Sequence, residues 1–412
     1  MTQIPRILVI GYCYPPTASP EAFVSAKLLR NIPDCEIDVL TLEDGLVSDF
    51  RDAEMGEYGS KINGNVIKVS PPRLIKWLCR LPRLPLRPDR WLLANHSVRK
   101  RAVELLADRY DLLVTRSQYH SAHLVGLKLK AMRPDLPWIA CFSDPWSKAD
   151  HQTDVPLFSY LSRNLEQRVL KNADHLVFPT KGLLRHMTED KDNAALKSSV
   201  IPHCFDPSLY QERPHRQTLS RSKLQYTWRI FGSFYGNRQP DILLQSLRKI
   251  RIPNNIFLTI EIFGSYHDTY GRFKAFNNTQ KDRRIVYGGQ ISHKSALSLM
   301  QDSDLLIVID STDNQESFYL PSKIVDYFGS GKPVLSICRP GTVKQITQER
   351  GDLVADIDSA DSICNSMEIA LSRTHKGERK INSTLNFAGT IVGPKFRSLI
   401  QKTIDDYHNE YR

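Results

Sequence analysis

Lys323 and Asp326 lie three residues apart in the stretch Glu316 to Val334, ESFYLPSKIVDYFGSGKPV. Pro321 and Ser322 suit a helix entrance, with Ser322 as N-cap. Gly329, Gly331 and Pro333 suit its stop. Ile324, Val325, Tyr327 and Phe328 cover a broad apolar arc, which leaves Lys323 and Asp326 on the remaining edge. An ammonium there can neutralise a diphosphate, and a carboxylate can accept hydrogen bonds from vicinal hydroxyls, as on a ribose. The competing reading is a solvated pair worth a few tenths of a kcal/mol.

Further clusters could do chemistry. Asp144, in Ser143-Asp144-Pro145-Trp146, is a candidate to orient or deprotonate a hydroxyl. His120 and His123, in Arg116-Ser-Gln-Tyr-His120-Ser-Ala-His123, are candidates to contact a ligand at the same rim, and the residues do not choose between them. Arg238 follows Gly232-Ser-Phe-Tyr-Gly236-Asn, and an Arg in such a turn can clamp a diphosphate through paired hydrogen bonds. Gly264 ends the apolar run Phe257 to Phe263. Ser19 and the amides near Glu21 could reach an anion at a helix start. Asp302-Ser-Asp304 sits between a helix and a strand and solvates a turn, so no metal is expected. Gly329-Ser-Gly-Lys332 lacks the upstream glycine of a P-loop.

These clusters need a scaffold. Short continuous apolar runs, such as Ile7 to Ile10, Asp111 to Thr115, Trp138 to Phe142 and Leu305 to Ile309, alternate with helical patterns. That alternation predicts buried parallel sheets built from βαβ units. Ligands bind such sheets at the C-terminal ends of the strands, and each cluster follows a predicted strand.

The phrase Pro321-Ser322-Lys323-x-x-Asp326-Tyr327-x-x-x-Gly331-Lys332-Pro333 resembles the nucleotide-sugar signature of GT-B glycosyltransferases of the retaining family-4 type. The Tyr14-Pro15-Pro16 loop, the Asp144-Pro145-Trp146 phrase and Ile201-Pro-His-Cys-Phe-Asp206 also resemble that group. The resemblance covers nearly the whole chain. It implies an α/β fold of two Rossmann-like domains facing across a cleft, with a C-terminal helix crossing back to the first domain. The corresponding boundaries are 1–210 for an acceptor-side domain, 211–225 for a linker, 226–386 for a nucleotide-sugar domain and 387–412 for the terminal helix. It further implies transfer of a sugar from a nucleoside diphosphate sugar to a hydroxyl of a glycan or lipid-linked acceptor, with retention and no cofactor. Asp326 then holds the donor ribose, Arg238 and Lys323 the diphosphate, and Gly232, Gly264 and Ser322 line the donor site.

Two departures from the family pattern stand out. The fuller signature has two glutamates eight residues apart, but Glu316 plus eight is Ile324, which leaves the role of Glu316 open. The glycine pair that most relatives carry after the first strand is replaced by Thr17 to Glu21, without glycine. A catalytically silent module that binds a sugar nucleotide or glycan, and a sugar-nucleotide epimerase, therefore stay open.

Composition narrows the field. The 412 residues exceed one ordinary core, and 41% hydrophobic with 25% charged residues is a globular composition. Seven dispersed cysteines without a Cys-x-x-Cys pair point to a reducing cytoplasm. A net charge of +11 favours anionic partners: nucleotide phosphates or an anionic membrane surface. No nucleic-acid motif is present. Pro71 to Arg101 holds nine Arg or Lys and one acid, Asp89, interleaved with Trp77, Trp91 and leucines. This segment fits either a peripheral site at the inner membrane face or an ordinary loop packed on the domain. Its prolines exclude one regular helix.

Overall fold

The computed structural model describes residues 4–81, 86–147, 156–189, 192–211, 224–234, 240–265, 270–310, 316–378, 382 and 384–410. The chain divides into two compact units. The first comprises Met1–Cys204 with Gly389–Arg412, and the second Phe205–Ala388.

The first unit is a seven-stranded parallel sheet. Its strands are β1 (Arg6–Gly11), β2 (Glu36–Leu42), β3 (Val66–Val69), β4 (Leu112–Arg116), β5 (Trp138–Cys141), β6 (His175–Phe178) and β7 (Ser198–Val200), in the order β3-β2-β1-β4-β5-β6-β7. All neighbours pair in parallel, with Val9 opposite both Val39 and Val114. The reversal of strand order falls between β1 and β4, so the loops after those two strands flank the switch point. The buried runs Ile7 to Ile10 and Leu112 to Val114 are apolar because helices cover both faces.

The second unit repeats this plan with six strands: β8 (Leu224–Phe231), β9 (Ile256–Phe263), β10 (Arg283–Gly289), β11 (Leu305–Asp310), β12 (Val334–Cys338) and β13 (Leu353–Asp356). Their order is β10-β9-β8-β11-β12-β13, again all parallel, with the switch between β8 and β11. Trp228, Ile230, Leu258, Ile260, Ile307 and Leu335 form its core on one face. Ile324, Val325, Tyr327 and Phe328 join Leu306 and Val308 on the other. The fold is thus two Rossmann-like α/β units.

The terminal helix Gly389–Glu410 belongs to the first unit. Two glycines four residues apart let it approach the end of the helix Pro20–Arg30. A Cβ on Gly389 would lie 2.6 Å from the Asn31 side chain, and one on Gly393 only 1.7 Å from the Asn31 carbonyl oxygen. Arg397 Nε donates to the Asp34 carbonyl at 3.2 Å.

The polar region from 43 to 65 contains a helix, Ala53–Ser60, capped by Asp52 Oδ1 on the Met55 amide at 3.0 Å. Gly56 and Gly59 weaken its helical signal but serve its packing. A Cβ on Gly56 would meet Pro16 Cβ at 2.9 Å, and one on Gly59 would meet Pro15 Cβ at 3.2 Å. Tertiary contact with the loop after β1 overrides propensity here. The basic segment resolves into two parts: the helix Arg73–Arg80, and a 3-10 turn Arg90–Ala94 running into the helix Asn95–Leu105. Residues 82–85 within it lie outside the described residues.

Candidate functional site

In the second unit the helix Ser322–Gly329 follows β11 at the switch point. Tyr327 fixes it there: its hydroxyl accepts from the Phe231 amide on β8 at 2.9 Å and donates to the Ile307 carbonyl on β11 at 3.3 Å. The cap differs from expectation. Pro321 occupies the N-cap position with no side-chain cap bond, and Ser322 is the first helical residue. The first-turn amides consequently have no hydroxyl cap from Ser322.

Lys323 reaches back over the end of β8. A Cβ on Gly232 would come within 3.1 Å of Lys323 Nζ. Gly264 packs against the same turn: its φ is +144°, and a Cβ would stand 2.3 Å from the Gly232 carbonyl oxygen. Only glycine allows these two strand ends to approach. Ser233 and Ser265 complete the turn with a 2.7 Å hydroxyl contact. Gly232, Gly264 and Lys323 are thus brought together. Arg238 lies outside the described residues.

Asp326 is placed differently from the open helix edge expected of it. It is 3% exposed. The Tyr210 hydroxyl donates to its Oδ1 at 3.3 Å and to its carbonyl at 3.1 Å, and His293 Nε2 stands 3.9 Å from Oδ2. The helix is more deeply seated than its apolar arc implies, so Asp326 is no solvated partner of Lys323. Glu316 is exposed, on a loop pinned where Ser317 bridges Gly341. Tyr210 and His293 carried no signal in the sequence, since neither lies near Asp326 along the chain.

In the first unit the loops after β4 and β5 converge, as adjacent parallel strands require. Gln118 Nε2 donates to Asp144 Oδ2 at 2.6 Å, and the Ser143 amide donates to Ser117 Oγ at 3.3 Å. Asp144 is half-buried at this rim. The two histidines separate. His120 is half-buried, with Nε2 3.2 Å from the Pro145 carbonyl and its ring stacked on Trp146 at 4.9 Å between centroids. His123 is 0% exposed, with Nδ1 2.7 Å from Thr115 Oγ1. The Trp138 indole donates to that same hydroxyl at 2.9 Å. Burial, reinforced by the neighbouring His120 and Arg116, holds the His123 imidazole well below its ordinary range. His123 is a neutral core residue with no edge open to a sugar, which corrects its candidacy and leaves His120.

Ser19 is half-buried at the start of the helix Pro20–Arg30. Its Oγ caps the helix Pro20–Arg30 by accepting the Ala22 amide at 3.2 Å, and Glu21 adds a negative charge in the first turn. Glu21 is the hub of a buried polar cluster. Arg116 Nη2 donates to Oε1 at 3.1 Å, Ser25 Oγ to Oε1 at 2.9 Å and Ser143 Oγ to Oε2 at 2.6 Å, while Arg116 Nε donates to Ser25 at 2.8 Å. Glu21 and Arg116 are each 5% exposed. Burial pushes the Glu21 carboxyl up against the opposing pull of Arg116, Ser143 and Ser25. The cluster ties the helix start to both converging loops, one residue before Asp144 and two before Gln118. The sequence shows Glu21 as a first-turn acid but gives no sign that Arg116, 95 residues on, would meet it.

No group of three metal-ligating side chains occurs among the described residues. All seven cysteines are buried and free.

Residues 34–204 match the glycosyl transferase 4-like domain. No curated protein is a significant match. Sucrose-phosphate synthase from Thermosynechococcus elongatus superposes with a TM-score of 0.64 at 14% identity, covering 99% of this chain and 98% of that one. The lipopolysaccharide outer core galactosyltransferase WaaB gives 0.60 at 13%, with coverages of 96% and 99%. The Anabaena protein Alr3699/HepE, solved with UDP and glucose, gives 0.58 at 14%, with 98% of each chain covered. A glycosyl transferase 4-like match over residues 34–204, two parallel sheets with Rossmann-type switch points and near full-length likeness to these structures show that the chain has their two-unit Rossmann-like fold.

Proposed function

We propose that the protein transfers a sugar from a nucleoside diphosphate sugar to a hydroxyl of a glycan or lipid-linked acceptor, with retention. The observation that carries the donor reading is the meeting of Lys323, Gly232 and Gly264 at the switch between β8 and β11, beside the start of the helix Ser322–Gly329. Lys323, with Arg238 and the helix-start amides, stabilises charge on the departing diphosphate. Asp326 takes the ribose hydroxyls after exchanging its bond from Tyr210. The UDP bound in the Anabaena relative supports a uridine nucleotide as the first donor to try.

Asp144 and His120 face the acceptor in this reading. Asp144, oriented by Gln118, receives the hydroxyl proton or its hydrogen bond, and His120 contacts a sugar hydroxyl. Acceptor encounter takes place at an anionic membrane face, which the basic segment 71–101 favours. The test is incubation of the purified protein with radiolabelled nucleotide sugars and a membrane lipid extract. Label moving into the lipid or glycan fraction, and lost in Asp144→Asn, supports transfer. Conversion of the sugar nucleotide without any acceptor means epimerisation instead, and binding without turnover means a silent module.

A further inference from the structure

The segment 71–101 divides sharply. Pro88, Trp91, Ala94 and Val98 turn inward and pack as core. Asp89, the segment's acid, accepts from the Ser121 amide at 3.0 Å and the Ser121 hydroxyl at 2.7 Å. The helix Arg73–Arg80 behaves otherwise. Only Cys79 is buried in it, and it marks the face turned to the protein. At 100° per residue, Arg80, Arg73, Trp77 and Leu74 form one continuous arc on the far side. Leu74 is 65% and Trp77 58% exposed, and Arg73 and Arg80 are exposed beside them. Lys76, at the edge of that arc, is held by Glu43 at 2.6 Å. The outward face therefore presents two apolar side chains between two guanidinium groups and carries no acid.

We propose that this face docks on an anionic lipid bilayer, with Trp77 and Leu74 entering the headgroup and acyl boundary and Arg73 and Arg80 meeting lipid phosphates. Apolar side chains flanked by cations are what an interfacial helix needs: buried area supplies attraction and the charges select anionic lipid. A protein partner would be expected to meet such a face with its own acids, and a polyanion would use the arginines without the apolar pair. The inference deepens the lipid-linked acceptor reading by naming the docking element, yet its test requires no sugar transfer.

Trp77 makes the test selective, because the other four tryptophans, Trp91, Trp138, Trp146 and Trp228, are buried. The full-length protein is mixed with phosphatidylcholine vesicles, with and without phosphatidylglycerol, and followed by tryptophan emission and co-sedimentation. With anionic vesicles, emission shifts to the blue and the protein sediments. Trp77→Phe still sediments but loses the shift. Leu74→Ser with Trp77→Ser lowers partitioning at least about tenfold, and Arg73→Glu with Arg80→Glu does the same on anionic vesicles only. These side chains are exposed, so the variants keep the wild-type melting temperature. The proposal is overturned by equal partitioning on neutral vesicles, by serine variants that bind as wild type, or by an equal blue shift with heparin. Activity on a soluble acceptor is measured alongside, so loss of docking and loss of transfer are told apart.

Discussion

Replacing Glu21 by alanine tests whether the buried cluster at the first switch point is a paired unit. The substitution removes the partner 3.1 Å from Arg116 and both serine contacts, and leaves a guanidinium 5% exposed with Ser25 as its remaining bond in the cluster. Breaking a buried ion pair by removing one member costs about 3–5 kcal/mol, because the other charge stays desolvated. In a unit of this size each kcal/mol moves the melting temperature by about 2–4 °C. The transition of the first unit should therefore fall by roughly 6–20 °C in scanning calorimetry. The double variant Glu21→Leu with Arg116→Met removes both charges and should recover most of the loss, to within about 1–2 kcal/mol of wild type. A Glu21→Ala protein within about 1 kcal/mol of wild type, or a double variant no better than the single, would refute the reasoning.

Two titrations and one pair of variants extend the account. Burial pushes the Asp89 carboxyl up to about 6 from 3.8, against the donors from Ser121 and Trp91. The folded state thus holds that proton more tightly, so the contribution is full below about pH 4 and is lost as pH rises through about 6. Urea titrations should show wild type losing roughly 2–3 kcal/mol relative to Asp89→Asn between pH 4 and 7, and parallel pH curves would contradict this. His123 has the opposite sign: its depressed basicity gives stability that is full above pH 6.5 and lost as pH falls. His123→Phe should flatten that acid slope and retain sugar transfer. His120→Ala should instead lower kcat by about 10²-fold or more with stability little changed. Equal losses of activity in the two histidine variants would mean that burial has misassigned them.

The parallel sheets were legible because many of their strands are continuous apolar runs, and β4 and β11 fall where the pattern places them. The helix Ser322–Gly329 was legible from its proline entrance and glycine stop. Ala53–Ser60 was not, since Gly56 and Gly59 are chosen for contact with Pro15 and Pro16 rather than for helix formation. The site was legible to the level of loops and no further. Position after a buried strand places Asp144, Lys323 and Gly232 at sheet rims, but it cannot say which side chains turn inward. His120 and His123 look alike in sequence, and Thr115 and Trp138 decide between them. Asp326 appears as an exposed helix edge until Tyr210 covers it, 116 residues away along the chain. Glu21 shows in the sequence as a first-turn acid, and its buried ion pair becomes intelligible only when Arg116 and Ser143 stand beside it.

The central claim is that the second unit binds a sugar nucleotide at the switch between β8 and β11. Isothermal titration of the purified protein with UDP, GDP and ADP tests it most directly, with Lys323→Ala and Asp326→Ala run beside wild type. One nucleotide should bind with a Kd in the micromolar range, on the order of −8 kcal/mol. Each substitution should weaken it at least about tenfold, since each removes a charged contact. Binding of none of the three by folded wild-type protein, or binding unchanged in both variants, would contradict the account.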